Sequence, residues 1–191
     1  MKNMLVAILL FVIASSCSIR KIGTGIVIGD SIAYGYFHSY GIWTKKLNET
    51  SDYDWTNKGI GGNTSKNVLD RFYKDCINLQ PDVVLLHVGI NDIRKSTNII
   101  QTEHEFMSNI SIINQLCEKN KIKLLICEIP FVKDRDNAIT IRLNNWITNI
   151  IRGEYNYCEN NWNDKSRYSD GIHPTELGYI EIFDKFIKNK F

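Results

Sequence analysis

The chain has 191 residues, 43% of them hydrophobic and 23% charged, and a net charge of +2 at pH 7. That length suits one domain that buries most of the apolar surface of its unfolded chain without disulfide or metal staples. So small a net charge leaves no electrostatic footprint for nucleic acid, and DNA or RNA binding is not expected.

At the N-terminus Lys2 precedes an apolar run from Met4 to Ala14. The run is too short to cross a bilayer and has the length of the h-region of a secretory signal. Residues 1–16 are therefore set apart from the fold, and a single domain is expected over residues 22–191. Ala14-Ser15-Ser16 before Cys17 resembles the lipobox of bacterial lipoproteins, departing from it at Ala14, where leucine is commonest. The resemblance implies cleavage before Cys17, acylation of that cysteine and a lipid anchor to the bacterial cell envelope, on its periplasmic or outer face. An ordinary cleaved signal is the alternative and would give a freely secreted protein.

The first strand is Ile26-Val-Ile28, apolar on both faces as in a parallel sheet covered by helices, and broken by Gly29 just before Ser31. Tyr34 to Gly41 reads as a loop able to contact substrate, and Ile42 to Leu47 as a short helix. Asp54 to Asn57 suggests a second strand, followed by the glycine-rich turn Lys58-Gly-Ile-Gly-Gly-Asn-Thr64. Thr64 or Ser65 then caps a helix with the stripe Val68, Leu69, Phe72, Cys76 and Ile77, ending before Pro81. Val83 to Gly89 is the second buried strand, and it too ends in a glycine with polar residues beyond, Asn91 and Asp92.

Thr102-Glu-His-Glu105 reads as a capping box opening a long helix through Phe106, Ile110, Ile113 and Cys117. Lys123 to Ile129 is the next strand, closed by Pro130, and a helix from Asp136 to Ile151 carries Ile139, Leu143, Trp146, Ile147 and Ile150, with Gly153 as its cap. A last strand falls near Tyr155 to Cys158. After Asp170-Gly-Ile-His-Pro174 comes a helix with Leu177, Ile180, Phe183 and Ile187 facing the core and Pro174 at its first position. Strands alternating with helices imply βαβ units and a parallel sheet.

The five cysteines give no disulfide framework. With Cys17 assigned to a lipid, Cys76, Cys117, Cys127 and Cys158 read as core thiols, and no Cys/His spacing suggests zinc. His87 inside a buried strand reads as a hydrogen-bonded core residue, His38 as a loop residue near the nucleophile, and His104 as exposed in the first turn of its helix.

Ester hydrolysis through an acyl-enzyme needs a nucleophile, a base, a group that orients the base, and donors aimed at the developing oxyanion, with no metal or organic cofactor. Ser31 supplies a hydroxyl at the end of a strand and His173 an imidazole before a helix. Asp170, three residues earlier, can fold back beside that imidazole and fix its tautomer. Gly62, lacking a side chain, can bring its backbone N–H close, and Asn91 can offer its amide.

Gly29-Asp30-Ser31-Ile32, the glycine turn around Gly62, Gly89-Ile-Asn91-Asp92 and Asp170-Gly-Ile-His173 resemble, in order and spacing, the successive blocks of the SGNH/GDSL hydrolases. The resemblance implies a three-layer α/β/α sandwich of flavodoxin-like topology with five parallel strands ordered 2-1-3-4-5. It implies Ser31 as nucleophile, His173 as base, Asp170 as its partner, and an oxyanion hole of the Ser31 and Gly62 N–H groups and the Asn91 side chain. Gly62 is preferred because Asn57-x-x-Ile60-x-Gly62-x-Thr64 follows the family spacing, with Gly61 as fallback; Asp30 and Asp92 are read as shaping turns.

Leu86-His-Val-Gly-Ile-Asn-Asp92 is similar to the block of carbohydrate acetylesterases of that family. With an export signal, this makes deacetylation of an extracellular or envelope glycan the leading expectation. A lysophospholipase or thioesterase is the alternative within the class. An O-acyltransferase, or a glycan-binding protein that retains the fold without turnover, is the alternative outside it.

Overall fold

The computed structural model describes residues 21–36, 41–130, 137–151 and 169–184. The signal segment 1–16, Cys17, His38, Gly153, the strand expected at 155–158 with its Cys158, Ile187 and the side chain of Ile150 lie outside the described residues.

Among the described residues the sheet has four parallel strands, β1 (Gly23–Gly29), β2 (Tyr53–Gly59), β3 (Val83–His87) and β4 (Lys123–Ile126), in the order β2-β1-β3-β4. Around it lie α1 (Ser31–Tyr34), α2 (Ile42–Thr50), α3 (Ser65–Asp75), α4 (Ile90–Lys95), α5 (Ile99–Lys119), α6 (Ala138–Ile151) and α7 (Glu176–Ile182). Side chains alternate across a strand, so β1 sends Ile26 and Ile28 to one core and Val27 to another. The first core joins them to Val84, Leu86 and Ile126, under Phe72 of α3, Phe106 and Ile110 of α5, and Leu143 of α6. The second joins Val27 to Leu85 and Leu125, under Ile32 of α1, Trp43 and Leu47 of α2, and Tyr179 of α7. Helices on both faces of a parallel sheet make three layers, and Ile26 to Ile28 of β1 and Val83 to Leu86 of β3 are apolar throughout because both of their faces are buried.

Several sequence expectations are corrected. The long helix does not open at Thr102: Asn98 is its cap, its Oδ1 accepting from the Gln101 N–H at 3.2 Å, and the Thr102 N–H is already committed to the Asn98 carbonyl. His104 therefore lies beyond the first turn, and it is exposed as expected. The strand from Lys123 stops at Ile126; the Cys127 N–H still donates to the Leu86 carbonyl at 2.8 Å, and beyond it the N–H and C=O of Ile129 are taken by the side chain of Asn144 on α6, at 2.8 and 2.9 Å. Ile77 belongs to a separate 3-10 turn, Ile77–Leu79.

The last helix begins at Glu176 under a Thr175 cap, whose Oγ1 accepts from the Gly178 N–H, so Pro174 precedes the helix instead of starting it. Tyr179, Ile182 and Phe183 form its buried face, while Leu177 is 61% exposed. The one-turn helix α1 was not expected; it places Ser31 at its first position.

Candidate active site

The strand carrying Ser31 ends by colliding with its neighbour. Gly29 has φ +151°, and a Cβ there would lie 1.8 Å from the carbonyl oxygen of His87 on β3, so only glycine lets the two strand ends meet. The Asp30 N–H then donates to that same carbonyl at 3.1 Å. The Asp30 carboxylate caps α1, accepting from the Ile32 N–H at 2.9 Å. Ser31, only 7% exposed, follows as the first residue of the helix, where a backbone N–H has no partner within the helix ladder.

His173 reaches Ser31 across 142 residues of sequence: Ser31 Oγ lies 2.7 Å from His173 Nε2. The other ring nitrogen, Nδ1, lies 2.8 Å from Asp170 Oδ2. Asp170 holds the turn from inside, its Oδ1 accepting from the N–H groups of Ile172 at 3.0 Å and His173 at 2.8 Å. Partial burial works to raise the Asp170 pKa, but the His173 N–H, the imidazole hydrogen bond, the imidazole charge and the Ile172 N–H outweigh it. The carboxyl is thereby held below its ordinary range and stays ionised beside the ring. With Nδ1 protonated, Nδ1–H donates to Asp170, and Nε2 can accept the Ser31 proton. Tyr36, 43% exposed, tilts against His173 with ring centroids 5.2 Å apart.

The glycine turn lies beside Ser31: a Cβ on Gly61 would be 3.9 Å from Ser31 Cβ. Gly62 has φ +77° and open space where its Cβ would sit. The turn thus requires glycine there for its left-handed backbone. Asn91, the second residue of α4 and 6% exposed, donates one Nδ2 hydrogen to the Asn63 carbonyl at 3.1 Å. The Asn91 amide carries a second hydrogen that can donate to another oxygen.

The flanking acids shape turns. Asp92 accepts from the Ser65 N–H at 2.9 Å and the Ser65 hydroxyl at 2.5 Å, tying the start of α3 to α4. Burial pushes its pKa up to about 6, against the lowering effect of those Ser65 hydrogen bonds. His87 stays in the core, 2% exposed, with Nδ1 3.6 Å from Asp30 Oδ1 and its ring against Trp43. Cys76, Cys117 and Cys127 are free thiols. Burial raises the pKa of all three, that of Cys117 to about 12, so none is a ready nucleophile.

Two residues not singled out from the sequence complete the surroundings. Lys95 donates to the Gly62 carbonyl at 2.8 Å, and Arg71 contacts the ends of β1 and β2. The carbonyls of Gly29, Lys58 and Gly62 that they reach leave no mark in a sequence. Lys95 and Asp92 also line a cleft of about 240 Å³ with Thr64, Ser96, Gln101 and Glu105. Ser31, His173, Gly62 and Asn91 do not line it; it reaches their neighbourhood through Asp92, next to Asn91 in sequence, and through Lys95, which bonds to the Gly62 carbonyl.

A hydroxyl, an imidazole and a carboxylate in series, beside a turn of backbone amides, form the arrangement used for acyl transfer to a serine. The model of the GDSL-like lipase/acylhydrolase family matches residues 27–179. The chain belongs to that family. As a GDSL-like acylhydrolase it is a serine hydrolase acting on ester bonds. No curated protein matches the chain. Among solved structures, a GDSL-like lipase from Bacteroides thetaiotaomicron shares 25% identity, covering 86% of this chain and 85% of that one at a TM-score of 0.66. A variant of an acetyl-xylooligosaccharide esterase from Geobacillus shares 18% identity over 89% and 96% of the two chains, with TM-score 0.66. An acetyl xylan esterase shares 20% identity over 84% and 96%, with TM-score 0.65. These last two likenesses establish the acylhydrolase fold.

Proposed function

We propose that this acylhydrolase is an acetylesterase of a glycan or another small, hydroxyl-rich ester, working through an acyl-enzyme on Ser31. His173 takes the Ser31 proton as the hydroxyl attacks the ester carbonyl, and Asp170 stabilises the imidazolium that forms. The oxyanion receives hydrogen bonds from the Ser31 and Gly62 N–H groups and the Asn91 amide, Gly61 being the alternative to Gly62. His173 then returns the proton to the departing alcohol, and water repeats the sequence to release the acid. The observation that carries this reading is the unbroken series Ser31, His173 and Asp170, at 2.7 and 2.8 Å.

The polar cleft beside the oxyanion turn favours a sugar over a long acyl chain. Its lining, from Thr64 and Asp92 to Asn98 and Asn109, consists of hydroxyl, amide and charged side chains. The acetyl-sugar esterases among the similar folds are a reason to test such substrates first. A panel of acetylated xylooligosaccharides, short aryl esters, lysophospholipids and acyl-thioesters decides the class. Acetate release from the sugars, abolished in Ser31→Ala, is the expected result. Faster cleavage of the lysophospholipid or thioester favours the lipid esterase. Acetylated acceptor sugar formed in place of free acetate favours the transferase, and sugar binding without turnover the binding protein.

The proposal extends to export, with Cys17 lipid-anchored to the cell envelope. A fatty-acid label on the wild type that is lost in Cys17→Ala is expected, and an unlabelled wild type would indicate free secretion.

A further inference from the structure

Arg71 of α3 makes four hydrogen bonds with one guanidinium. Nη2 donates to the Gly29 carbonyl at 3.0 Å, Nη1 to the Lys58 carbonyl at 2.8 Å and to Asp75 Oδ2 at 2.8 Å, and Nε to Asn63 Oδ1 at 2.9 Å. Gly29 ends β1 two residues before Ser31, and its carbonyl also accepts from the Ile60 N–H at 3.0 Å. Lys58 is near the end of β2. Asn63 follows Gly62, and its own carbonyl accepts the Asn91 amide. One side chain therefore grips the approach to the hydroxyl, the strand that feeds the glycine turn, and the turn itself.

We propose that Arg71 is a positioning residue, fixing where the oxyanion donors stand relative to Ser31. The inference rests on the reading of Ser31 and the glycine turn given above. The guanidinium side chain is only 14% exposed, and Asp75 offsets the cost of burying its charge. The three acceptors around Asp75's partner lie in different directions, which suits a planar fork of five donors; a lysine ammonium in the same place is a single point that cannot span them. Helix α3 does not depend on Arg71 for anchorage, since Val68, Phe72 and Cys76 are each fully buried in the core. What the side chain controls is the turn, where donors must stand about 2.7 to 3.1 Å from an oxygen that is charged only as the reaction proceeds. Loosening it affects the transition state more than the bound ester, so the loss falls on kcat and spares KM.

The test measures Arg71→Ala and Arg71→Lys on a short-chain aryl ester, with circular dichroism to confirm folding and a fluorophosphonate probe to report Ser31. Expected are a kcat at least about tenfold below wild type in both variants, KM within about twofold, and partial recovery of Arg71→Ala by added guanidinium. A folded Arg71→Ala with wild-type kcat, or a loss confined to KM, overturns the proposal. Should neither variant fold, Asn63→Ala removes one of the four bonds without removing charge; it must then show the kcat loss, or the proposal fails. A wild type whose Ser31 does not react with the probe would end the reading of the nucleophile itself. A reactive wild type beside fully active variants would end only the role of Arg71.

Discussion

Asn91 holds the carbonyl of Asn63 through Nδ2 at 3.1 Å, so the residue proposed to donate to the oxyanion also clamps the turn carrying the other proposed donor. Substituting it removes a donor and releases the turn together. Asn91→Ala is expected to lower kcat about 10²- to 10³-fold on an activated ester, with a smaller change in KM. Steady-state kinetics check this, and an unchanged kcat would remove Asn91 from the oxyanion hole.

Asp170→Asn keeps the shape of the turn and alters the imidazole tautomer, so kcat should fall by up to about 10⁴-fold while the fold persists. The carboxyl's pKa is lowered in the folded protein. Its contribution to stability is therefore present above its unfolded pKa of about 3.9 and is lost as pH falls through the lower folded value. The asparagine variant should lose that segment of the acid limb, read from thermal midpoints between pH 2 and 5.

Asp92 works in the opposite sense. Its folded pKa is raised to about 6, so its contribution is fully present below about pH 4 and is lost as pH rises through about 6. Wild-type stability should fall relative to Asp92→Asn by at most on the order of 3 kcal/mol between those values. The two curves should run parallel above and below them. Denaturant midpoints of both proteins across pH 3 to 8 check this, and parallel curves throughout would contradict the shift.

Tyr36 presents an exposed ring 5.2 Å from the His173 ring, at a position to pack against a bound alcohol or sugar. Tyr36→Ala is expected to raise KM several-fold and leave kcat within about threefold, since its contact would be made equally to ground and transition states. Kinetics on an acetylated sugar and on a small aryl ester separate the cases, the larger KM change falling on the sugar.

The parts legible in the sequence are those whose signal is local. β1 and β3 announce themselves because strands buried on both faces are apolar throughout, and Asp170 and His173 because three residues of spacing let one side chain reach the other within a turn. Thr102 misled because its pattern with Glu105 satisfies a capping box, while Asn98 competes for the same helix one turn earlier. Leu177 misled because a three-residue period fits two adjacent faces of α7. The buried one includes Tyr179, whose hydroxyl disguises a core residue. The grip of Arg71 on Gly29 and Lys58 and of Lys95 on Gly62 was illegible, since those acceptors are backbone carbonyls brought near by the parallel pairing of β1 with β2 and by the left-handed bend at Gly62.

The four-residue turn from Asp170 to His173 lies beyond every strand of the described sheet. A nascent chain that has emerged from the ribosome only as far as β4 already carries Ser31, Gly62 and Asn91, but not yet Asp170 and His173, the carboxylate and base proposed to serve them. On the proposed mechanism, full activity therefore waits for the late-synthesised turn to dock against Ser31.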